Sequence, residues 1–199
     1  MNKKLFAFIF LFCSLALFVA CGDDDDDNSG IDQEWKSYNE KQISEVSVAG
    51  SGYQSITSQS KNGAVYYKKI NYFEEIDAKS TPSTKITEAG TPYYTDSIAM
   101  RYEGYFFEKD GRKIIFERDN NNGVVTRARV SSNFVDGFST MLQNMKKGDQ
   151  VEVVIPQQLG YGVNALKDAA GNIKIPAYTT IRFKLYLVDI YPDNPGEFD

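Results

Sequence analysis

Tyr161 stands between Gly160 and Gly162 in the stretch IPQQLGYG, Ile155 to Gly162, directly after an alternating apolar run. A phenol with bulk removed on both sides either fills the core beside a glycine turn or presents its hydroxyl to a ligand. Few other residues offer chemistry. The chain has no histidine, which excludes Ser–His–Asp and Cys–His catalysis and any zinc site built with imidazole. The acidic run Asp23 to Asp27 fails as a calcium loop in two registers. Counting from Asp25 puts Lys36 where a bidentate glutamate is required; counting from Asp23 puts Asn28 in place of the turn glycine. DNNNG, Asp119 to Gly123, lacks acidic ligands and reads as a hairpin turn. No metal and no cofactor is expected.

The two cysteines belong to the N-terminus. MNKKLFAFIFLFCSLALFVAC has a positive start at Lys3 and Lys4, then an apolar run from Leu5 to Val19. That run falls short of the roughly 20 residues a bilayer-spanning helix needs, and small Ala20 follows it, so residues 1–20 read as a secretory signal peptide. LFVAC resembles a bacterial lipobox, in which the cysteine is lipidated and becomes the first mature residue. Cys21 is thus the expected lipid site, and the expected location is the cell envelope, anchored by lipid to the outer membrane. The aspartate run within residues 21–30 is a solvated tether, or resembles the acidic signal that directs some Gram-negative lipoproteins to the cell surface. Cleavage leaves 20 basic against 27 acidic residues, a net charge of −7. Nucleic acid, which wants basic patches, is not an expected partner. With Cys13 removed and Cys21 lipidated, no disulfide forms and the core alone must stabilise the fold.

Beyond the tether, residues 31–91 read as an N-terminal extension and 92–199 as the main domain. Ile31, Trp35, Tyr38, Ile43 and Val46 recur at helical spacing, Gly50 to Gly63 reads as loop or linker, and Ala64 to Ile70 as a strand. From Ser97 the period becomes two: Ile98, Met100, Tyr102 and Phe106 share one face, with Arg101 and Glu103 on the other. KDG, Lys109 to Gly111, turns the chain into RKIIFER, and VVTRARV follows DNNNG as a third strand. Phe134, Phe138, Met141, Leu142 and Met145 then form one helical stripe. Ser132 or Asn133 could cap its start, Lys146 and Lys147 suit its negative end, and Gly148 supplies a left-handed stop. VEVVI and TTIRFKLYLVDI close the domain, joined by a long loop over 163–179. Strands do not alternate with helices, so the expected class is α+β: an antiparallel β-sheet curled around one short α-helix, with a helical and linker extension before it.

The pieces MRYEGYF, the FE of IIFERD, NFVDGFSTMLQNMKKGDQVEVVIPQQLGYG and IPAYTTIRFKLYLVDI come in an order and spacing that resemble the FKBP-type peptidyl-prolyl cis–trans isomerases. The resemblance covers residues 92–191. It implies that Tyr102, Phe116, Phe138, Tyr161 and Phe183 wall a proline pocket, with Tyr161 reaching a ligand carbonyl and Glu117 in the place of the family's aspartate. Phe138 stands where many members have tryptophan. Phe134 and Val135, entering the helix, and Ile175, before Pro176, correspond to substrate contacts. The connection from Gly104 to Phe116 and the loop 163–174 are longer than in the minimal member.

The resemblance implies an isomerase assisting the folding of exported proteins, a monomer whose partners are proline-containing polypeptides and, through Cys21, a membrane. The alternative it leaves is a binding module of the cell envelope that holds proline segments without turning them over.

Overall fold

The computed structural model describes residues 31–74, 90–119, 125–132 and 134–192. The signal peptide, Cys21, the acidic run, Asn133 and all but the first residue of DNNNG lie outside the described residues. Helix α1 (Gln33–Ser47) carries the expected stripe and is capped by Asp32, whose Oδ1 accepts a hydrogen bond from the Trp35 amide at 2.8 Å. Strand β1 (Gln54–Thr57) lies inside the Ser- and Gly-rich run read above as loop. Its pairing with β2 (Ala64–Lys69), Gln54 opposite Tyr67 through Thr57 opposite Ala64, overrides a composition poor in strand formers.

Strand β3 (Ser97–Phe107) turns through Lys109–Gly111 into β4 (Lys113–Arg118), with Gly111 at a φ of 84°. Strand β5 (Thr126–Arg129) pairs with β3, not with β4. β4 and β5 lie end to end along one edge of β3, so DNNNG joins two halves of an interrupted edge strand and not the arms of a hairpin. β6 (Gln150–Ile155) and β9 (Ile181–Tyr191) complete a seven-stranded sheet in the order β1-β2-β6-β9-β3-β4, every pair antiparallel. The loop 163–179 is not bare: it holds a small hairpin, β7 (Leu166–Lys167) with β8 (Ile173–Ile175). β2 pairs with β6 and Asn39 of α1 binds Thr180, so residues 32–74, read as an extension, share one compact unit with the rest.

Helix α2 (Asp136–Leu142) is shorter than the apolar stripe. Val135 is its first boundary residue, in extended conformation with no side-chain cap, so Ser132 does not cap it. After Leu142 the chain continues in tight turns, Asn144 to Met141 and Met145 to Leu142, which keep Met145 fully buried after the helix has ended. Lys146, Lys147 and Gly148 therefore fall outside the helix, and Gly148, at a φ of 90°, serves the turn into β6.

The sheet's inner face closes on α2. Met100, Val153, Ile155, Leu185 and Leu187 pack with Phe138, Met141 and Leu142 into one core, each nearly solvent-free. On another face Glu152 accepts hydroxyl protons from Tyr53 (2.5 Å) and Tyr105 (3.0 Å) and faces Lys68 and Arg182. Burial opposes its charge, but those hydroxyls and cations hold its carboxyl below the usual range.

Gly137 shows how closely α2 lies on the sheet. A Cβ there would sit 2.4 Å from Ile155 Cγ2 and 3.1 Å from Val65 Cγ1. Gly137→Ala is expected to lower unfolding free energy by about 1–3 kcal/mol, in spite of alanine's better helix propensity. Denaturant titration measures it; an unchanged midpoint would mean that the helix can lift freely.

Candidate functional site

The aromatic residues singled out in the sequence come from five separate segments, and the fold brings them together. Phe138, on the first turn of α2, meets Phe183 of β9 nearly edge-on, with ring centroids 4.8 Å apart. Phe183 in turn meets Phe116 of β4 at 5.5 Å and 89°. Tyr102 of β3 stands perpendicular to Phe138 at 6.4 Å, and Phe134 lies tilted against Phe138 at 4.7 Å. Tyr161, after the 3₁₀ turn Gln157–Leu159, and Val135 pack against the hydrophobic core that contains these rings. Edge-to-face contacts place the positive rim of one ring on the negative face of the next, which fixes ring tilt as well as distance.

Two glycines make this convergence possible. Gly104 lies opposite Phe183 across the β3–β9 ladder, on the apolar face of β3 between Tyr102 and Phe106. A Cβ on it would come within 2.6 Å of the Phe183 ring and 2.8 Å of the Phe116 ring. Nothing in the sequence analysis singled it out, although a glycine interrupting an alternating apolar run is the signal of a close approach. Gly162 has a φ of 66°, in the left-handed region that a side chain would strain. Its carbonyl accepts the Tyr178 amide at 2.8 Å, so the turn carrying Tyr161 is tied to the segment before β9.

The members differ in accessibility. Phe138, Phe183 and Phe116 are buried, whereas Tyr102, Phe134, Val135 and Tyr161 are half-buried and form the accessible side. Ile175, expected as a substrate contact, is completely enclosed in the core, so its side chain offers no open wall. Glu117 is exposed, and its Oε1 accepts the Tyr102 hydroxyl at 3.2 Å. Burial first, then the charge of Glu117 and this hydrogen bond, push the Tyr102 phenol up to about 12. Burial and the same carboxylate also raise Tyr161. The glutamate, one methylene longer than aspartate, thus still reaches the Tyr102 hydroxyl. The arrangement offers an apolar surface of ring faces and edges, with two protonated hydroxyls and one anion at its rim. Among the described residues it holds no nucleophile paired with a base.

Residues 89–188 match the FKBP-type peptidyl-prolyl cis-trans isomerase family. The chain belongs to that family. All nine FKBP site positions inferred from the resemblance, Tyr102 to Phe183, fall inside the matched span. FkpA of Escherichia coli K12, an FKBP-type peptidyl-prolyl cis-trans isomerase by name, is 28% identical over 134 residues, 65% of this chain and 46% of its own. A Trypanosoma cruzi protein named macrophage infectivity potentiator is 29% identical over 105 residues, 53% of this chain and 48% of its own. The chain thus spans about half the length of these curated FKBP relatives. The crystal structure of E. coli FkpA superposes with a TM-score of 0.54 at 21% identity, over 80% of this chain and 60% of that one. A peptidyl-prolyl cis-trans isomerase structure from Pseudomonas syringae pv. tomato gives 0.52 at 20% identity, over 79% and 92%. Both share the FKBP fold.

Because the folded protein holds the Tyr102 proton more tightly than the unfolded chain, stability from this residue is intact below about pH 10 and lost toward about pH 12. The denaturation midpoint is expected to fall across that window, and to fall less steeply in Tyr102→Phe. Equal slopes in the two proteins would show that the phenol is not held as described.

Proposed function

We propose that the chain catalyses cis–trans isomerisation of prolyl peptide bonds, and that Tyr102, Phe116, Phe138, Tyr161 and Phe183 form its site. The observation that carries this reading is that Tyr102, Phe116, Phe138 and Phe183 meet ring to ring and Tyr161 packs on the core that contains them, all within the family-matched span. Rotation about a prolyl amide meets a barrier of roughly 18–20 kcal/mol because twisting breaks C–N resonance. Left alone it takes tens to hundreds of seconds. The planar amide is strongly dipolar and well hydrated; the twisted one is less so. An apolar surface that strips water from the bond therefore favours the twisted form, which is transition-state binding in preference to ground-state binding. The Tyr161 hydroxyl, kept protonated, would donate to a peptide carbonyl and fix the segment's orientation. A barrier lowered by about 5.4 kcal/mol gives roughly 10⁴-fold acceleration. No metal or base enters these steps.

We further propose that the protein works at the cell envelope on exported polypeptides, held to the outer membrane by lipid on Cys21. Support comes from the LFVAC sequence and the charged start and apolar run before it. Several acyl chains on one cysteine, each adding about 0.8 kcal/mol per buried CH₂, suffice for stable attachment. The binding-module reading draws on Glu117, which stands in the place of an aspartate and is engaged by Tyr102.

Conversion of a cis Xaa-Pro peptide to trans is expected to be accelerated by the protein, with Tyr161→Ala and Phe138→Ala each reducing kcat/KM by about 10²-fold or more. Peptide binding without acceleration selects the binding module; neither binding nor acceleration overturns both readings. Separately, Cys21→Ser should move the protein from the membrane fraction to the soluble fraction of cells that process lipoproteins. Unchanged fractionation would exclude the lipid anchor.

A further inference from the structure

The prolyl site proposed above lies within residues 92–191, yet α1, far upstream in sequence, is hydrogen-bonded to the segment that backs it. Trp35 Nε1 donates to the Ala177 carbonyl at 3.0 Å and lies 3.2 Å from Thr179 Oγ1. Buried Asn39 accepts the Thr180 amide on Oδ1 at 2.7 Å, and its own carbonyl accepts the Thr180 hydroxyl at 3.0 Å. Between these anchored residues sits Tyr178, at a φ of 59°, a left-handed conformation that costs a tyrosine energy and persists only where its surroundings hold it. The Tyr178 amide is the one that binds Gly162, beside Tyr161. A second route runs through rings. Trp35 meets Phe106 edge-on at 6.1 Å, Phe106 stacks on Phe116 at 6.5 Å, and Phe116 contacts Phe183.

We propose that Trp35 and Asn39 are positioning residues of the prolyl site: α1 locks residues 177–180, and through the Tyr178–Gly162 bond it sets where the Tyr161 hydroxyl stands. The segment between Pro176 and Ile181 has no strand partner of its own, so its conformation depends on these side-chain and backbone bonds. Trp35 and Asn39 supply the bonds on one side and Gly162 on the other, and Thr179 Oγ1 also donates to the Pro176 carbonyl at 2.7 Å. Releasing the first set lets Tyr178 leave its strained conformation, and the turn holding Tyr161 loses its tether. The inference rests on the isomerase reading, and the experiment separates the two.

Trp35→Phe keeps an aromatic ring against Phe106 and removes the indole donor; Asn39→Ala removes the acceptor for Thr180. Tyr38→Phe is the control, because it deletes another hydrogen bond from α1, to the Glu108 carbonyl at 2.7 Å, that does not reach residues 177–180. Each is made in the full chain, checked for folding by circular dichroism, and assayed with a proline peptide, alone and combined with Tyr161→Phe. The expected result is a loss of at least about ten-fold in kcat/KM for folded Trp35→Phe or Asn39→Ala, with Tyr38→Phe at the wild-type value. In the Tyr161→Phe background the same substitutions should cost less than about two-fold, since the group they position is gone. Unchanged turnover in both folded variants overturns the proposal. Equal losses in both backgrounds overturn it too, as does unfolding of both variants, for then the contacts serve only stability. A wild-type chain that binds the peptide without accelerating it sinks the isomerase reading alone, and the same comparisons are then read from the peptide's Kd.

Discussion

Gly104 and Phe183 are register partners in the long antiparallel ladder between β3 and β9, which runs from Ser97 opposite Tyr191 to Tyr105 opposite Arg182. The absent side chain on one strand makes room for the ring on the other, and for Phe116 arriving from β4. The edge-to-face contact between Phe183 and Phe116 occupies that vacancy. Tyr102 comes next on the same face of β3, Phe138 approaches over Phe183 from α2, and Tyr161 packs on the hydrophobic core to which these rings belong. Strand register has a period of two, so a slip of one residue would turn Gly104 outward and put Glu103 against the rings. The β3–β9 pairing therefore sets the geometry of the site as well as the order of the sheet.

What could be read from the sequence follows from how local each signal is. The period-two run from Ile98 to Phe106 and the helical recurrence of Trp35, Tyr38, Ile43 and Val46 are local patterns, and both elements form where the patterns lie. The identities of the clustered rings were legible through the family resemblance and not through spacing, because they are far apart in the chain. β1 is hard to see in the sequence because it is only four residues within a Ser- and Gly-rich run, and pairing with β2 is what marks it as a strand. The boundaries of α2 were misread for a related reason. The stripe from Phe134 to Met145 marks which side chains are buried, whereas the helix itself is limited by extended Val135 and the tight turns after Leu142. Likewise DNNNG has the composition of a hairpin turn, but β5 finds its partner in β3. Ile175 is legible as apolar, but its place in strand β8, opposite Leu166, and its complete burial are not visible in the loop's composition.

Polar groups carry the remaining order. Glu152 gathers two tyrosine hydroxyls and two cations on the sheet, and Asn39 bonds to both the amide and the hydroxyl of Thr180. Each joins elements far apart in the chain, β3 to β6 in one case and α1 to the approach of β9 in the other. Buried or half-buried hydrogen bonds of this kind specify one arrangement among several that apolar packing alone would tolerate. Apolar rings thus fill the candidate site, while directional hydrogen bonds order the sheet and the approach to β9.

The break between β4 and β5 bears on how this protein tolerates the company of unfolded chains. An unbroken edge along the whole of β3's neighbour would expose a row of amides and carbonyls able to recruit a stray extended segment. Here that rim is divided into two short pieces bearing Arg118, Arg127 and Arg129, and the opposite rim, β1, is only four residues long. Neither offers a template long enough to seed cross-strand growth, so an extended segment finds little backbone to pair with at either edge.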